Sequence, residues 1–382
     1  MTYDDKQLGR RTALKALGAA ATIAVTACAG STPSGRPTYA RPLSRRPFVA
    51  PRVSMDRVVR VITGQRPFRP EGFVVRRDDI DGRALIHNYG HGGGGISISW
   101  GSSALAVREA AELPIGNAAV LGAGAMGMTT ARLLQDAGWN VTIYSHAPSR
   151  HSTSNVAAGQ WGPTSIFDEG VATADFVERY KWACRVSHHA FQNLIGPRYG
   201  VSFLENYYLD ENPIPPSYYE RTLPDLFAAV ADLQPHEHPF PTAHVRRIVT
   251  MHVEPGVFLR QLRQDFRVQS GTFVVRHFDT EDDVLSLDER VIFNCTGLGS
   301  RALFGDESLV PIKGQLVFVL PDAAVDFATI GGGRGLLYQF PRTGELVLGG
   351  SYERGNWDRS PDPATTERII SEHDRIYGAM RV

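Results

Sequence analysis

The chain carries 3 cysteines in 382 residues. That excludes a disulfide-stapled scaffold and a cysteine-rich metal cluster. It has no net charge, because 40 Lys and Arg offset 40 Asp and Glu. No global field therefore favours nucleic acid, and a nucleic-acid partner is not expected. Beyond the N-terminal region no apolar run is long enough to span a bilayer. Internal repeats are absent as well, which excludes repeat architectures. What remains is a globular composition, 42% hydrophobic and 21% charged, in one large or two ordinary domains. Glycine, at 38 residues, is abundant, as tight turns and backbone approaching a ligand require.

The N-terminal region differs from the rest. "GRRTALKALGAAATIAVTACAG" opens with Arg10 and Arg11, continues as an Ala-rich apolar run and reaches Cys28. Ala16 to Ala27 is too short for a membrane span but has the order of an export signal. The paired arginines point to export of the folded protein by the twin-arginine translocase. "VTAC" resembles a lipoprotein processing box, so residues 1–30 are expected to be a signal with Cys28 lipidated as the membrane anchor. An ordinary cleavable signal, or a buried helix that begins with arginines, is the alternative. Residues 31–50, rich in Pro, Ser and Arg, are expected to be a linker, with folded sequence from about Val53. Cys184 and Cys295 remain; Cys295 sits in the apolar "VIFNCTG", where a buried thiol is expected rather than a disulfide.

From Asn117 to Tyr144 the pattern is strand, glycine turn, helix, strand: "NAAVLG", "AMGMTTARLLQDAG", "WNVTIY". Gly122, Gly124 and Gly127 form G-x-G-x-x-G at the first turn. The first glycine permits the sharp turn, the second lets backbone approach a pyrophosphate, and the third lets helix and strand pack closely. The helix N-terminus offers free N–H groups to phosphates, so Ala125 and Met126 join the three glycines as candidate contacts. The acidic residue that usually holds the ribose is missing: the second strand runs into "YSHAPSR". Ser145, His146 or water is expected in its place. Later, "RVIFNCTG", "GQLVFVL" and "ELVLGG" read as strands and "PATTERIISEHDRIYGAM" as a helix.

A second glycine-rich turn, "HNYGHGGGGISISWG" from His87, lies just upstream. With "RPFRP" at Arg66, "VAAGQW" at Val156, "NCTG" at Asn294 and "LGG" at Leu348, it resembles the D-amino acid oxidase family of FAD enzymes, which includes D-aspartate oxidase. The likeness covers nearly everything from Val58 to the C-terminus. It implies a Rossmann-type FAD-binding domain joined to an α+β substrate domain on a mixed sheet. Members of that family begin with the βαβ unit and end with the histidine–glycine segment and its helix. Here the closing segment comes first, joined to the βαβ strand through "LPIG" at Leu113, so the sequence resembles a circular permutant. A helix leaving the cofactor and a strand approaching it share one edge, where a short link suffices. A mis-assembled reading frame is the alternative. The division expected is 85–165 with 286–300 and 345–350 for the FAD part, and 51–84, 166–285 and 301–382 mainly for the substrate part.

The resemblance implies FAD-dependent oxidative deamination of D-amino acids to 2-oxo acids, ammonia and hydrogen peroxide, with oxygen or another electron acceptor. Its alternatives are a glycine-oxidase-like dehydrogenase feeding a membrane carrier, or a flavin-binding lipoprotein without activity. Arg66 matches the substrate-carboxylate arginine, Tyr338 its hydroxyl helper, and the Gly93 carbonyl the acceptor for the substrate amine. Arg69 is expected to be structural. Gly92, Gly94, Gly95 and Ile96 are expected against the flavin, with Ser97 on a ring carbonyl. Thr153 and Ser154 are expected near the phosphates or flavin, Ala158, Gly159 and Gln160 near the ring, and Thr296 and Gly297 at the cofactor. His87 and His91 have the spacing of a helical metal pair, but the surrounding glycines argue for hydrogen-bonding roles. Arg334 is a candidate cation for an acidic side chain of the substrate.

Overall fold

The computed structural model describes residues 47–146, 152–227 and 229–382. In chain order the first elements are β1 (Val58–Phe68), β2 (Val74–Ile80), β3 (Arg83–Tyr89), α1 (Ser99–Arg108), β4 (Asn117–Leu121), α2 (Ala125–Asp136) and β5 (Asn140–Ser145). Then come α3 (Ala174–Gln192), β6 (Val201–Asp210), α4 (Tyr218–Thr222), β7 (Val230–Leu233), β8 (His244–Val253), α5 (Pro255–Val268) and β9 (Thr272–Val275). The last are α6 (Glu281–Leu285), β10 (Val291–Asn294), α7 (Gly299–Phe304), β11 (Val310–Val319), β12 (Phe327–Gly331), β13 (Tyr338–Pro341), β14 (Leu346–Gly349), β15 (Glu353–Arg354) and α8 (Pro363–Gly378).

Two sheets organise these elements. The six-stranded sheet runs β2-β3-β10-β4-β5-β9. From β3 to β9 it is parallel, and its inner strands read as near-continuous apolar runs because both faces are covered. β2 and β3 form an antiparallel hairpin whose turn, Asp81-Gly82, has positive φ at both residues (49° and 73°). That Asp-Gly pair is the chemistry a two-residue hairpin demands. β2 and β9 thus belong to the nucleotide-type sheet, although the sequence division assigned both to the substrate part. Ala131 and Leu134 of α2, Phe258 and Leu262 of α5, and Ala183 and Phe191 of α3 belong to the largest core cluster with Val120 and Phe293 of the strands.

The nine-stranded sheet runs β1-β11-β14-β13-β12-β6-β8-β7, with β15 added on β11. It is antiparallel except where β12 meets β6. One face packs on α8, which starts at Asp362, whose carboxylate accepts from the Ala364 and Thr365 N–H groups. The other face forms the floor of the site described below.

Phe48 packs edge-on against Tyr207, Phe240 and Phe327 at 5.4–5.6 Å between centroids. The fold therefore begins before Val53, with Phe48 and Ala50 of the expected linker packed, partly buried, against the core. Met380 belongs to the same apolar cluster, so both ends of the described fold meet in one place. Cys184 and Cys295 are both buried free thiols; burial pushes Cys295 up to about 12. The paired arginines and Cys28 of the expected signal lie outside the described residues. Among the described residues no helix is long and apolar enough to cross a membrane.

Candidate active site

The G-x-G-x-x-G turn is built by close approach. Gly122 has φ +99°, and a Cβ there would sit 2.6 Å from the Cys295 carbonyl. A Cβ on Gly127 would sit 1.9 Å from the Gly122 carbonyl oxygen, so only glycine lets α2 pack on β4. Gly124 is the N-cap of α2 and has no side chain with which to cap it. The Ala125 N–H donates to Ser154 Oγ at 3.0 Å, which puts Ser154 at the mouth of the helix. A helix N-terminus facing a hydroxyl in this way suits an anion. Cys295 and Thr296 abut the turn from the end of β10, and Gly297, with φ +60°, faces Pro67. The Thr296 hydroxyl is turned inward, donating to Asn294 Oδ1 at 2.7 Å and meeting Ser300 at 2.9 Å, while its N–H donates to the same Asn294 oxygen at 3.1 Å and its carbonyl accepts from the Gly299 N–H at 3.1 Å.

The second glycine turn lies beside the first: Gly95 opens towards Met126, whose Cε would lie 4.0 Å from a Cβ placed on it. Ile96 is buried in the same cluster as Met126. Gly92 and Gly94, expected against the flavin, are required to be glycine by the Ser165–Ile166 segment. A Cβ on Gly92 would lie 2.1 Å from the Ser165 carbonyl, and one on Gly94 2.4 Å from Ile166 Cδ1. The Gly93 N–H donates to that same Ser165 carbonyl at 2.8 Å. The histidines of this segment hold the turn from behind. Asn294 Nδ2 donates to His87 Nδ1 at 3.0 Å, leaving His87 Nε2 for Asp78 at 3.1 Å. His91 Nε2 bonds Ser102 Oγ at 2.6 Å, and burial pushes it down to about 3, so it is neutral. The described residues hold no cluster of metal-ligating groups.

Three further expectations change in detail. Ser97, expected on a ring carbonyl, gives its single proton to backbone, with the Gly162 carbonyl at 3.2 Å and that of Gln160 at 3.3 Å. The Gly162 N–H returns a bond to it at 3.1 Å. Ser97 thereby ties the glycine turn to the Ala158–Trp161 segment. Thr153, expected near the phosphates or the flavin, donates to the Gln65 carbonyl at 2.9 Å and secures the strand that carries Arg66. Gly159, with φ +101°, is required by β8: a Cβ would meet the Val253 carbonyl at 2.3 Å. Ala158 offers its carbonyl to Arg342 Nη2 at 3.3 Å. Of the residues expected near the ribose, Ser145 pairs with Val275 at the end of β5, and the His146 ring packs edge-on against His277 at 4.9 Å.

Arg66, Gly93 and Tyr338 converge. β1 pairs with β11 so that Arg66 lies opposite Ile312 and Gly64 opposite Gly314. The Arg66 guanidinium lies over Gly314, where a Cβ would meet Nη1 at 2.7 Å and Nη2 at 2.8 Å. The Tyr338 ring in turn lies over Gly349, where a Cβ would come 2.0 Å from it. The two side chains lean together across two bare backbone positions until Arg66 Nη2 reaches the Tyr338 hydroxyl at 3.4 Å. Arg66 Nη1 is buried with no hydrogen-bond partner. An unpaired buried guanidinium N–H is costly unless an anion completes it. Gly93 lies against the same group, 3.7 Å from Arg66 Cδ measured from its would-be Cβ. Two donors aimed at one point suit a carboxylate. Arg69 is structural: it pairs with Asp306 at 2.9 Å and donates to the Gly72 carbonyl at 3.1 Å. Arg334 is exposed on the β12–β13 loop, and its backbone groups bond Glu372 and Arg368 on α8, away from the Arg66 face.

A model of the DAO family, described as FAD dependent oxidoreductase, matches residues 117–380, more than half of the chain. The chain belongs to that family. A D-amino-acid oxidase of Rubrobacter xylanophilus is 31% identical over 275 residues, 70% of this chain and 79% of that one. Human D-aspartate oxidase is 28% identical over 279 residues, 69% and 78% of the two chains. A glycine oxidase of Geobacillus kaustophilus shares the fold, with a TM-score of 0.51, 17% identity, and 68% and 77% of the chains covered. The protein is an FAD-dependent amino-acid oxidoreductase. Its residues fit the cofactor: a helix N-terminus capped by a glycine behind a close-packed glycine turn, a second glycine turn in contact with it, and an arginine with one buried, unpaired guanidinium N–H beyond.

Proposed function

We propose that this DAO-family enzyme oxidises D-amino acids to 2-oxo acids and ammonia, with oxygen as electron acceptor and hydrogen peroxide as co-product. The observation that carries the reading is the Arg66–Tyr338 pair, with one guanidinium N–H buried and unpaired. The naming of the Rubrobacter relative as a D-amino-acid oxidase supports the stereochemical choice.

When bound, FAD supplies the acceptor for the hydride leaving the α-carbon and passes its two electrons to oxygen. The protein's part is binding and orientation. Arg66 holds the substrate carboxylate through Nη1 and Nη2, and the Tyr338 hydroxyl donates to the same group. The Gly93 carbonyl accepts from the substrate amine. As the α-hydrogen leaves with its bonding pair, the nitrogen lone pair closes the C=N bond. Water then adds to the imine carbon and expels ammonia, giving the 2-oxo acid. No protein acid or base is needed at the α-carbon. Air-equilibrated protein given D-alanine should form peroxide, ammonia and pyruvate in equal amounts, and none with L-alanine.

We also propose that the chain is a circular permutant of its family. The family match begins at Asn117, where β4 begins, and leaves β1, β2, β3 and α1 ahead of it. The packing of Phe48 and Met380 in one cluster supports termini lying near each other. Joining Val382 to Pro47 by a short linker and opening the chain within Leu113–Gly116 should give a folded flavoprotein. Export by the twin-arginine route with a lipid on Cys28 is proposed from the order Arg10, Arg11, apolar run, Cys28. C28S should then move the protein from the membrane to the soluble fraction.

A further inference from the structure

One cross-strand row of side chains continues past Tyr338. Tyr338 lies opposite Ile330, Ile330 opposite Tyr208, Tyr208 opposite Arg246, and Arg246 opposite Asp232. Residues directly opposite share a sheet face, so this row extends the floor on which Arg66 and Tyr338 meet. Tyr208 is two strands from Tyr338, about 10 Å at ordinary strand spacing.

Gln160 reaches this row from the other wall. It follows Gly159, and its carbonyl lies 3.3 Å from Ser97 Oγ beside the glycine turn. Its Nε2 donates to Asn206 Oδ1 at 3.1 Å and to Tyr208 OH at 2.9 Å. The orientation of this amide is determined by its neighbours. Asn206 Nδ2 donates to the Leu204 carbonyl at 2.8 Å, so Asn206 turns its oxygen, an acceptor only, towards Gln160. Gln160 must answer with its NH2 group, and both of its hydrogens are then in use. Its Oε1 is turned away from Asn206 and Tyr208, to 3.5 Å from a Cβ placed on Gly162. The Gly162 N–H does not serve it, being bonded to Ser97.

The only cation in the row is already compensated. Arg246 gives Nε and Nη2 to Asp232 at 2.7 and 2.9 Å; its Nη1, buried without a hydrogen bond, faces Glu220 at 3.7 Å, so two carboxylates already balance its one charge. An acidic side chain directed along the row would meet a carbonyl oxygen and a neutralised arginine. A neutral side chain carrying N–H or O–H would meet an acceptor held in place.

We propose that Gln160 determines specificity: its side-chain carbonyl, fixed by Asn206 and Tyr208, accepts a hydrogen bond from the substrate side chain. The preferred substrates are then D-amino acids with a neutral donor group, such as the amides of D-asparagine and D-glutamine, over acidic and aliphatic ones. This rests on the reading of the protein as a D-amino acid oxidase. It deepens that reading, because the family likeness places Gln160 near the ring and gives its side chain no part in choosing the substrate.

The test compares kcat/KM for D-glutamine, D-glutamate and D-methionine, the last close to D-glutamine in length, in the wild-type flavoprotein and in Q160L. The wild type should prefer D-glutamine over D-methionine by about tenfold, the worth of one good hydrogen bond. In Q160L the ratio should fall to one or below. A merely structural loss would lower both substrates together and leave the ratio unchanged. Q160M, which keeps the length of the side chain, gives the same comparison should Q160L fail to fold. Y208F keeps Gln160 but removes one of its anchors, and should give an intermediate ratio. A ratio unchanged in a Q160 variant that retains flavin, or wild-type preference for D-glutamate, overturns the assignment while leaving D-amino acid oxidation intact. Failure of every D-amino acid to reduce the flavin overturns both.

Discussion

The Tyr338 hydroxyl stands 3.4 Å from Arg66 Nη2, although 272 residues separate them in the chain. The register of β1 on β11 and of β13 on β14 brings them together, since each side chain crosses a glycine to reach the other. If this pair binds the substrate carboxylate, R66A should reduce kcat/KM by about 10- to 100-fold, the worth of one charged hydrogen-bonded contact. Most of the loss should appear in KM. FAD content, read by absorbance, should stay near wild type, because Arg66 is not part of the G-x-G-x-x-G turn. R66K should recover little, since a point charge does not reproduce the planar fork.

G314A tests the same pair without touching either member. Its new methyl would lie 2.7–2.8 Å from the Arg66 nitrogens, which must move. We expect KM to rise several-fold at unchanged FAD content. Unaltered steady-state constants would mean that the position of the guanidinium does not matter.

The two glycine turns and the βαβ unit were legible because their signals are local: a buried strand, glycines at fixed spacing, then a helical period. Gly314 and Gly349 were not recognised as parts of the site. Each is a glycine within or ending a strand, a known mark of close backbone approach. What approaches them, however, comes from strands remote in sequence. The roles expected of Ser97, Thr153 and Thr296 differ from the observed ones for a related reason. A hydroxyl in a glycine-rich segment has backbone acceptors within reach, and sequence alone does not rank these against a ligand. Gly92 and Gly94 carry the right residue type, but the partner that requires it, Ser165–Ile166, arrives from elsewhere.

Gly127 should be the most sensitive cofactor position. G127A places a methyl 1.9 Å from the Gly122 carbonyl and forces α2 off β4. The variant should purify without FAD and melt at lower temperature, both measurable by absorbance and thermal denaturation. A yellow G127A protein of normal stability would contradict the close-packed turn.

Histidines buried as neutral groups contribute to the response to acid, and three of them are shifted furthest. Burial pushes His91 and His252 down to about 3 and His373 to about 4, from a usual 6.5. Below pH 6.5 the unfolded chain takes up protons that the folded protein refuses, so stability falls as pH falls. The loss is complete only near pH 3 to 4. Each histidine contributes a slope of up to about 1.4 kcal/mol per pH unit in that window. Urea denaturation between pH 7 and pH 5 should show this slope, and H91N should reduce it by about one proton's worth. A stability independent of pH over that range would contradict the burial of these rings as neutral groups.

The account rests on Arg66 and Tyr338 orienting a D-amino acid towards FAD, and an anaerobic titration followed by flavin absorbance tests this most directly. D-alanine should bleach the wild-type flavin fully and L-alanine should leave it oxidised, while R66A should need far more D-alanine for the same change. Equal bleaching by the two enantiomers, or the same D-alanine dependence in R66A as in the wild type, would contradict it.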